Sequence, residues 1–388
     1  LMLIYFTSGT TAMPKMVGRD HSYSLAHDIT RKYWMDLKEE DIHWTLTDTG
    51  WAKAAWGLLY PPLLAGAAIV LYDGIGFDAE MHLKIIQDQK VTTFCAPPTI
   101  YRMLAQTNLS IFNLSSLRHC FGAGEPLNPE AMKSWKESTG CEIYDGYGQT
   151  ETINIVANYP GMEIRPGSMG KPCPGLTVNI INDEGAILDD NQIGHIGVKI
   201  TDPYPPGLFK CYYKDDKATT KSFRNGWYYT GDTATRDADG YIWFVDRVGD
   251  TFRWKGENVS TGEVAACISD IPKITEANVY GVKIPGSEDG RACMVAITTE
   301  DGSKPDFNTF LNYVDDNLAT YQRPIFVRLL PAMQSTCTFK QRKVDFVKDG
   351  FDPKVINDRL WWYNPEVKSY EELDNNAYGV IIHGKARL

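Results

Sequence analysis

The sequence predicts an α/β protein. A large N-terminal domain carries a parallel βαβ sheet and a small β-barrel section, and a smaller α+β C-terminal domain follows. Three changes of texture along the 388 residues predict this. Strand-like and helical runs alternate from about 50 to 120, which is the pattern of βαβ units. Beyond about 160 short strands lie between Pro- and Gly-rich turns, and beyond about 250 helices and strands mix again. The expected division is 1–246 and 247–388.

In chain order, Leu1–Phe6 reads as a short apolar strand. An enzyme opening on a core strand is unusual, so a longer N-terminal region is expected ahead of it. Strand-like runs at Ala67–Tyr72, Thr92–Ala96 and Leu117–Phe121 alternate with helical patterns at Ala79–Gln89 and Thr99–Gln106. A further helix is expected over 129–139 and a short strand at Glu142–Tyr144. Thr177–Asn182 and Ile196–Ile200 are short strands of the all-β section. Asp237-Ala238-Asp239-Gly240 is a turn between β-rich runs at Trp227–Tyr229 and Tyr241–Val245. Gly262–Ser269 and Phe307–Leu318 read as helices and Ala277–Val282 as a strand.

The chain is 43% hydrophobic and 23% charged, so it can bury a large core. A net charge of -10 argues against a general nucleic-acid binder, which needs clustered Lys and Arg. The eight cysteines show no CxxC pair and no metal spacing, and they read as free thiols of a reducing compartment. No apolar run reaches the roughly 18–20 residues of a membrane span. The expected location is cytoplasmic, with peripheral attachment to a membrane and the oligomeric state both left open.

Four stretches carry chemistry. Thr7-Ser8-Gly9-Thr10-Thr11-Ala12-Met13-Pro14-Lys15 follows a strand. Small hydroxyl residues and Gly let backbone N–H groups fold around an anion, and Lys15 adds a point charge. Its composition fits a polar surface turn equally well. Gly122-Ala123-Gly124-Glu125-Pro126 lets a flat ring approach a strand end, or is a plain strand-to-helix turn. In Asp145-Gly146-Tyr147-Gly148-Gln149-Thr150-Glu151 an aromatic ring can stack on a purine, Thr150 can bond a phosphate and Glu151 offers a hard oxygen for a metal. Tyr147 alone would read as a core aromatic. In Tyr229-Thr230-Gly231-Asp232 a carboxylate after a Gly turn can accept two neighbouring hydroxyls.

These stretches, in this order, resemble the adenylate-forming superfamily of acyl-CoA synthetases, peptide-synthetase adenylation domains and luciferases. The resemblance covers essentially the whole chain. It implies ATP-dependent activation of a carboxylic acid to an acyl-adenylate, then transfer to coenzyme A with release of AMP and pyrophosphate. Thr7, Ser8, Gly9, Thr10, Thr11 and Lys15 would hold the β- and γ-phosphates. Gly124, Glu125 and Pro126 would lie on the adenine side and Tyr147 would stack on the adenine, with Asp145 and Gly148 also in the nucleotide site. Thr150 would touch the α-phosphate and Glu151 would bind magnesium (Mg²⁺). Asp232 and Arg247 would hold the ribose. Lys340, in Thr336-Cys337-Thr338-Phe339-Lys340, would close over the reacting carboxylate, with Arg342 and Lys343 as weaker competitors.

Two departures narrow the resemblance. The usual Gly-Arg-x-Asp-Asp reads Asp246-Arg247-Val248-Gly249-Asp250, which puts Gly249 at the hinge. Short-chain enzymes carry a Trp where Gly148 stands, so Gly148 implies an open acyl channel and a medium- to long-chain fatty acid. Trp51 and Trp56 would line that channel or pack a buried helix. The front half is similar to medium-chain acyl-CoA synthetases. Asp246–Val259 and Thr338–Lys340 are similar to fatty-acid transport proteins and very-long-chain acyl-CoA synthetases. Adenylation of another acid class or for another acceptor, and an inactive fatty-acid-binding fragment, remain the alternatives.

Overall fold

The computed structural model describes residues 1–7, 14–74, 76–124, 129–248, 250–286, 290–333 and 343–386, without the side chains of 129–131 and 344. The chain divides into two compact units, Leu1–Phe244 and Val245–Leu388.

The first unit opens with an antiparallel hairpin, β1 (Leu3–Phe6) and β2 (Met16–Arg19). A seven-stranded sheet follows. It contains β3 (Ile42–Thr45), β4 (Ala68–Ile69), β5 (Thr93–Ala96), β6 (His119–Ala123), β7 (Ile143–Gly148), β8 (Asn154–Ala157) and β9 (Lys171–Pro172), in the order β4-β3-β5-β6-β7-β8-β9. The β4-to-β7 part is parallel, and β8 and β9 add on antiparallel. Helices at Ala79–Asp88, Pro98–Ala105 and Pro129–Thr139 connect the parallel strands, since parallel neighbours need a crossover rather than a tight turn.

The sheet is buried on both faces, and the side-chain alternation shows it. Phe94 and Ala96 pack with Leu83, Ile86, Tyr101 and Trp135 of the crossover helices. Cys95, between them, packs with Trp34, Met35 and Phe121 on the other face. Strands buried on both sides read as continuous apolar runs, which is why β5 and β6 stand out in the sequence. The strand β3 and the helix at Ser22–Ile29 carry no such run and go unpredicted. The helical segment from Ala52 to Ala65 contains Trp56, whose ring lies 5.4 Å from that of Trp34.

The all-β section holds β10 (Val178–Ile181), β11 (Gly194–Lys199), β12 (Phe223–Arg224), β13 (Trp227–Arg236) and β14 (Ile242–Arg247). Its order is β10-β11-β13-β12, with β14 also on β13. Among the described residues its hydrogen bonding follows this path without returning from β12 to β10, and this sheet is the small β section expected. Closure needs hydrogen bonding around a full ring, and β12 offers only two residues. Asp237 forms the predicted turn: its Oδ1 accepts from the N–H groups of Asp239 (3.0 Å) and Tyr241 (2.9 Å). Met169 and Gly170 exchange backbone bonds with Ile242, tying this sheet to the parallel one. Gly170 is required there, with φ +96 and a Cβ that would lie 2.1 Å from Ala157 O.

The second unit begins with the hairpin β15 (Phe252–Trp254) and β16 (Glu257–Val259). Its sheet runs β17 (Ile274–Val282), β18 (Ala292–Thr299), β19 (Phe326–Leu329), β20 (Arg359–Asn364), β21 (Ser369–Glu372) in that order. Only the β18–β19 pair is parallel. Helices at Thr261–Ser269 and Phe307–Asn317 are capped by Ser260 and Asp306. Buried Asp246, at the end of β14, accepts from Thr261 N (2.8 Å) and Thr251 Oγ1 (3.0 Å), so the start of this unit is pinned locally.

Candidate active site

The site is built at the C-terminal end of β7, where parallel sheets of this kind open a crevice. The pairing of β7 with β8 shifts register between Tyr147 and Gly148, and this bulge swings the chain into a turn. Gln149 and Thr152 close it: Gln149 N donates to Thr152 Oγ1 at 2.9 Å, and Thr152 N to Gln149 O at 3.1 Å. Thr150 and Glu151 sit at the tip.

Two of the expected nucleotide residues, Tyr147 and Asp232, converge, joined by Gln149. Asp232, 5% exposed, lies on β13 after Gly231. Its Oδ2 accepts from Tyr147 Oη at 2.5 Å and from Gln149 Nε2 at 2.7 Å. Gln149 Nε2 also donates to Thr230 O at 3.0 Å, and Tyr228 Oη donates to Gln149 Oε1 at 2.9 Å. Burial holds the Tyr228 hydroxyl far above the ordinary tyrosine range, so it stays a neutral donor. This chain fixes the amide orientation of Gln149 and thereby one side of the Asp232 carboxylate.

A second cluster joins the phosphate loop to Glu151. Thr7 N donates to Lys15 O at 3.0 Å and Lys15 N to Thr7 Oγ1 at 3.2 Å, so the two ends of the loop are pinned together. Lys15 Nζ stands 4.7 Å from the centre of the Tyr212 ring. Tyr212 Oη donates to Glu151 Oε1 at 2.8 Å. Burial and then the neighbouring Glu151 raise the Tyr212 pKa, which keeps the proton on the phenol. Lys15, Tyr212 and Glu151 thus form one line of charge, ring and carboxylate. Tyr212 and Tyr228 lie outside the motifs, and nothing in the local sequence marks them.

Asp145 is buried, and its carboxyl is pushed up to about 8 by desolvation, partly countered by the bond from Gly146 N at 2.8 Å. Gly124 follows β6 with φ +111. Trp51 is half-buried and precedes the helical segment that starts at Ala52. Two residues later the buried Lys53 donates from Nζ to Ala123 O at 3.3 Å.

Gly148 has a structural cause that the sequence hid. A Cβ there would lie 2.4 Å from Ile153 O and 3.0 Å from Asn154 Cα. The glycine is demanded by the bulge whatever acid is bound, so its lack of a side chain does not by itself indicate an open channel.

Arg247 ends β14 in the second unit, where its N–H donates to Asp246 Oδ1 at 2.8 Å. Lys343 Nζ is engaged by Thr261 Oγ1 at 2.6 Å and Asp250 Oδ2 at 3.2 Å. Ser8, Gly9, Thr10, Thr11, Glu125, Pro126, Gly249 and Lys340 lie outside the described residues.

Among the described residues no three His, Cys, Asp or Glu side chains form a metal cage. A single carboxylate, Glu151, held by one tyrosine is the donor set that suits Mg²⁺, which usually binds one or two carboxylates together with substrate phosphates.

A family profile described as "AMP-binding enzyme" matches residues 1–213. The mitochondrial acyl-coenzyme A synthetase ACSM3 of Rattus norvegicus is 43% identical over 286 residues, 74% of this chain and 49% of that protein. The mitochondrial acyl-coenzyme A synthetase ACSM4 of Homo sapiens is 37% identical over 366 residues, 93% of this chain and 61% of that protein. The chain therefore spans about half to three-fifths of the length of these curated relatives. The anthranilate CoA ligase AuaEII, solved with anthranoyl-AMP, superposes with a TM-score of 0.81 at 28% identity, over 89% of this chain and 67% of that one. The o-succinylbenzoate CoA synthetase MenE of Bacillus subtilis, solved with its acyl-adenylate, gives 0.75 at 26% identity, over 88% and 68%.

Proposed function

The chain belongs to the AMP-binding enzyme family, and from that premise we propose that it activates a carboxylic acid with ATP and passes the acyl group to coenzyme A. The observation that carries the reading is the convergence of Tyr147, Gln149 and Asp232 beside the Thr150–Glu151 turn. The acid is a medium- to long-chain fatty acid. The location is that of the named relatives, mitochondrial, whose interior keeps thiols reduced; the seven described cysteines are all free. No described helix is long and apolar enough to cross a membrane.

In this reading the residues bind, orient and neutralise charge. The Tyr147 ring, held by its hydroxyl on Asp232, offers a fixed face to the adenine. Asp232 offers carboxylate oxygen to the ribose hydroxyls, and Arg247 is assigned to the same sugar. Lys15, the Thr7–Lys15 loop and Thr150 surround the phosphates. Glu151 would hold Mg²⁺ together with the phosphates, where the ion would supply charge neutralisation. Negative charge grows as the carboxylate attacks the α-phosphate and pyrophosphate leaves, and a preorganised cation there lowers the barrier. Lys340 is assigned that role, with Gly249 as the hinge of the second unit. Lys343 is a poor alternative, because Asp250 and Thr261 already engage its ammonium.

Acid-dependent ATP–pyrophosphate exchange over acids from acetate to very long chains, followed by thioester detection with coenzyme A, tests the reading. Exchange with medium or long acids supports it, and no exchange with any acid overturns it. An aryl acid is the second reading, because AuaEII and MenE are named for such acids. Benzoate and anthranilate arms of the panel separate the two.

A further inference from the structure

We propose that Arg19 is a positioning residue that holds the Thr150–Glu151 turn in its working geometry. The inference deepens the acyl-adenylate reading and rests on it.

Arg19 ends β2, the strand that leaves the phosphate loop, and only 2% of it is exposed. Its guanidinium lies 4.2 Å from the centre of the Tyr23 ring. Nη2 donates to Thr152 O at 2.8 Å and also to Thr150 O, while Nη1 donates to Gly207 O at 2.8 Å. The carbonyl between those two, Glu151 O, accepts from Phe209 N at 2.9 Å. Three successive carbonyls of the turn are therefore fixed, two by Arg19 and one by the strap that Arg19 also holds at Gly207. The same strap pairs back onto β2: Tyr213 N donates to Met16 O at 2.7 Å, and Val17 bridges Tyr212. Tyr212 in turn orients the Glu151 carboxylate.

Among the described residues no hydrogen bond joins Arg19 to the hydroxyl of Thr150 or to the carboxylate of Glu151. Arg19 sets the backbone from which both project. No carboxylate forms a close ion pair with it among the described residues; the buried charge is met by carbonyl dipoles, the Tyr23 face and, at longer range, the Glu151 carboxylate, an arrangement that costs desolvation and specifies geometry. The planar fork reaches three carbonyls from two nitrogens, Nη1 on Gly207 and Nη2 on Thr150 and Thr152, whereas a lysine ammonium donates from a single point.

The test is acid-dependent ATP–pyrophosphate exchange by the wild type, Arg19→Lys and Arg19→Gln across a Mg²⁺ titration, with melting curves for each. In Arg19→Lys the expected fall in kcat is about ten- to a hundred-fold, the scale of a misplacement near 1 Å. Half-saturation by Mg²⁺ should rise about three- to ten-fold, while KM for the acid stays within about two-fold. Arg19→Gln should show the same pattern, more strongly. Should Arg19→Gln fail to fold, Arg19→Lys decides. Unchanged kcat and Mg²⁺ half-saturation in Arg19→Lys overturn the proposal. So does a fall in kcat that tracks the folded fraction with the Mg²⁺ curve unmoved, because that assigns Arg19 to folding alone. A wild type without exchange for any acid overturns the acyl-adenylate reading and this proposal with it. An active wild type matched by Arg19→Lys overturns this proposal only.

Discussion

Gly148→Ala separates two explanations of one glycine. If Gly148 exists to open an acyl channel, a methyl group should trim the longest acids and leave the fold intact. The structure argues otherwise. The added Cβ would sit 2.4 Å from Ile153 O and 3.0 Å from Asn154 Cα, both backbone atoms of the chain that closes the bulge. Restoring ordinary contact of about 3.5 Å needs an opening of about 1 Å between β7 and β8. Backbone cannot rotate away as a side-chain end can, so the cost is that of overpacking, about 1–3 kcal/mol, plus about 1 kcal/mol if a ladder bond is lost. Taking about 2–3 kcal/mol, and about 2–4 °C per kcal/mol for a unit of this size, Tm should fall by roughly 4–12 °C. Activity should fall by a similar factor for every acid, because the disturbed turn carries Thr150 and Glu151 rather than the acyl chain. Thermal denaturation and the acid panel read the two effects separately. An Ala variant with wild-type Tm and a preference shifted toward shorter acids would refute the argument and restore the channel reading.

Tyr212→Phe removes the donor to Glu151 Oε1. Glu151 is only partly buried, so about 1 kcal/mol is expected, seen as a rise of about five-fold in the Mg²⁺ concentration for half-maximal exchange; an unmoved Mg²⁺ curve would remove Tyr212 from the site. Asp145→Asn should change the pH dependence of stability. The folded carboxyl titrates at about 8, while in the unfolded chain it titrates near 3.9. Its contribution is therefore fully present below about pH 4 and is lost as pH rises toward 8, because only the unfolded state releases its proton. In urea unfolding the variant should gain on the wild type by a few kcal/mol from pH 5 to pH 8, and an equal difference at both pH values would contradict the buried, protonated carboxyl. Thiol labelling should reach exposed Cys211 first among the described cysteines, with Cys95, Cys120, Cys173 and Cys293 reacting only after denaturation. Equal rates would contradict this burial pattern.

The parallel sheet was legible because strands buried on both faces are apolar runs, and Thr93–Ala96 and His119–Ala123 fall within two residues of the runs that mark them. The hairpin turn at Asp237–Gly240 was legible because its Asp and Gly serve the turn itself. The motif stretches were legible for the same reason: Tyr147 and Asp232 meet through their own side chains. What stayed hidden acts across the chain. Tyr212 meets Glu151 across 61 positions and Arg19 meets Thr152 across 133, and no local pattern encodes either distance. Gly148 carries a second reason that its sequence context does not reveal. An absent side chain reads as space from the sequence, yet here the space is filled by the backbone of Ile153 and Asn154, five and six residues on. A glycine within a motif is thus evidence about the chain that approaches it before it is evidence about a ligand. The same reasoning applied to Gly146, whose Cβ would meet the Trp34 ring at 2.5 Å, assigns that residue to packing of the sheet against the Ser22–Trp34 segment rather than to the nucleotide.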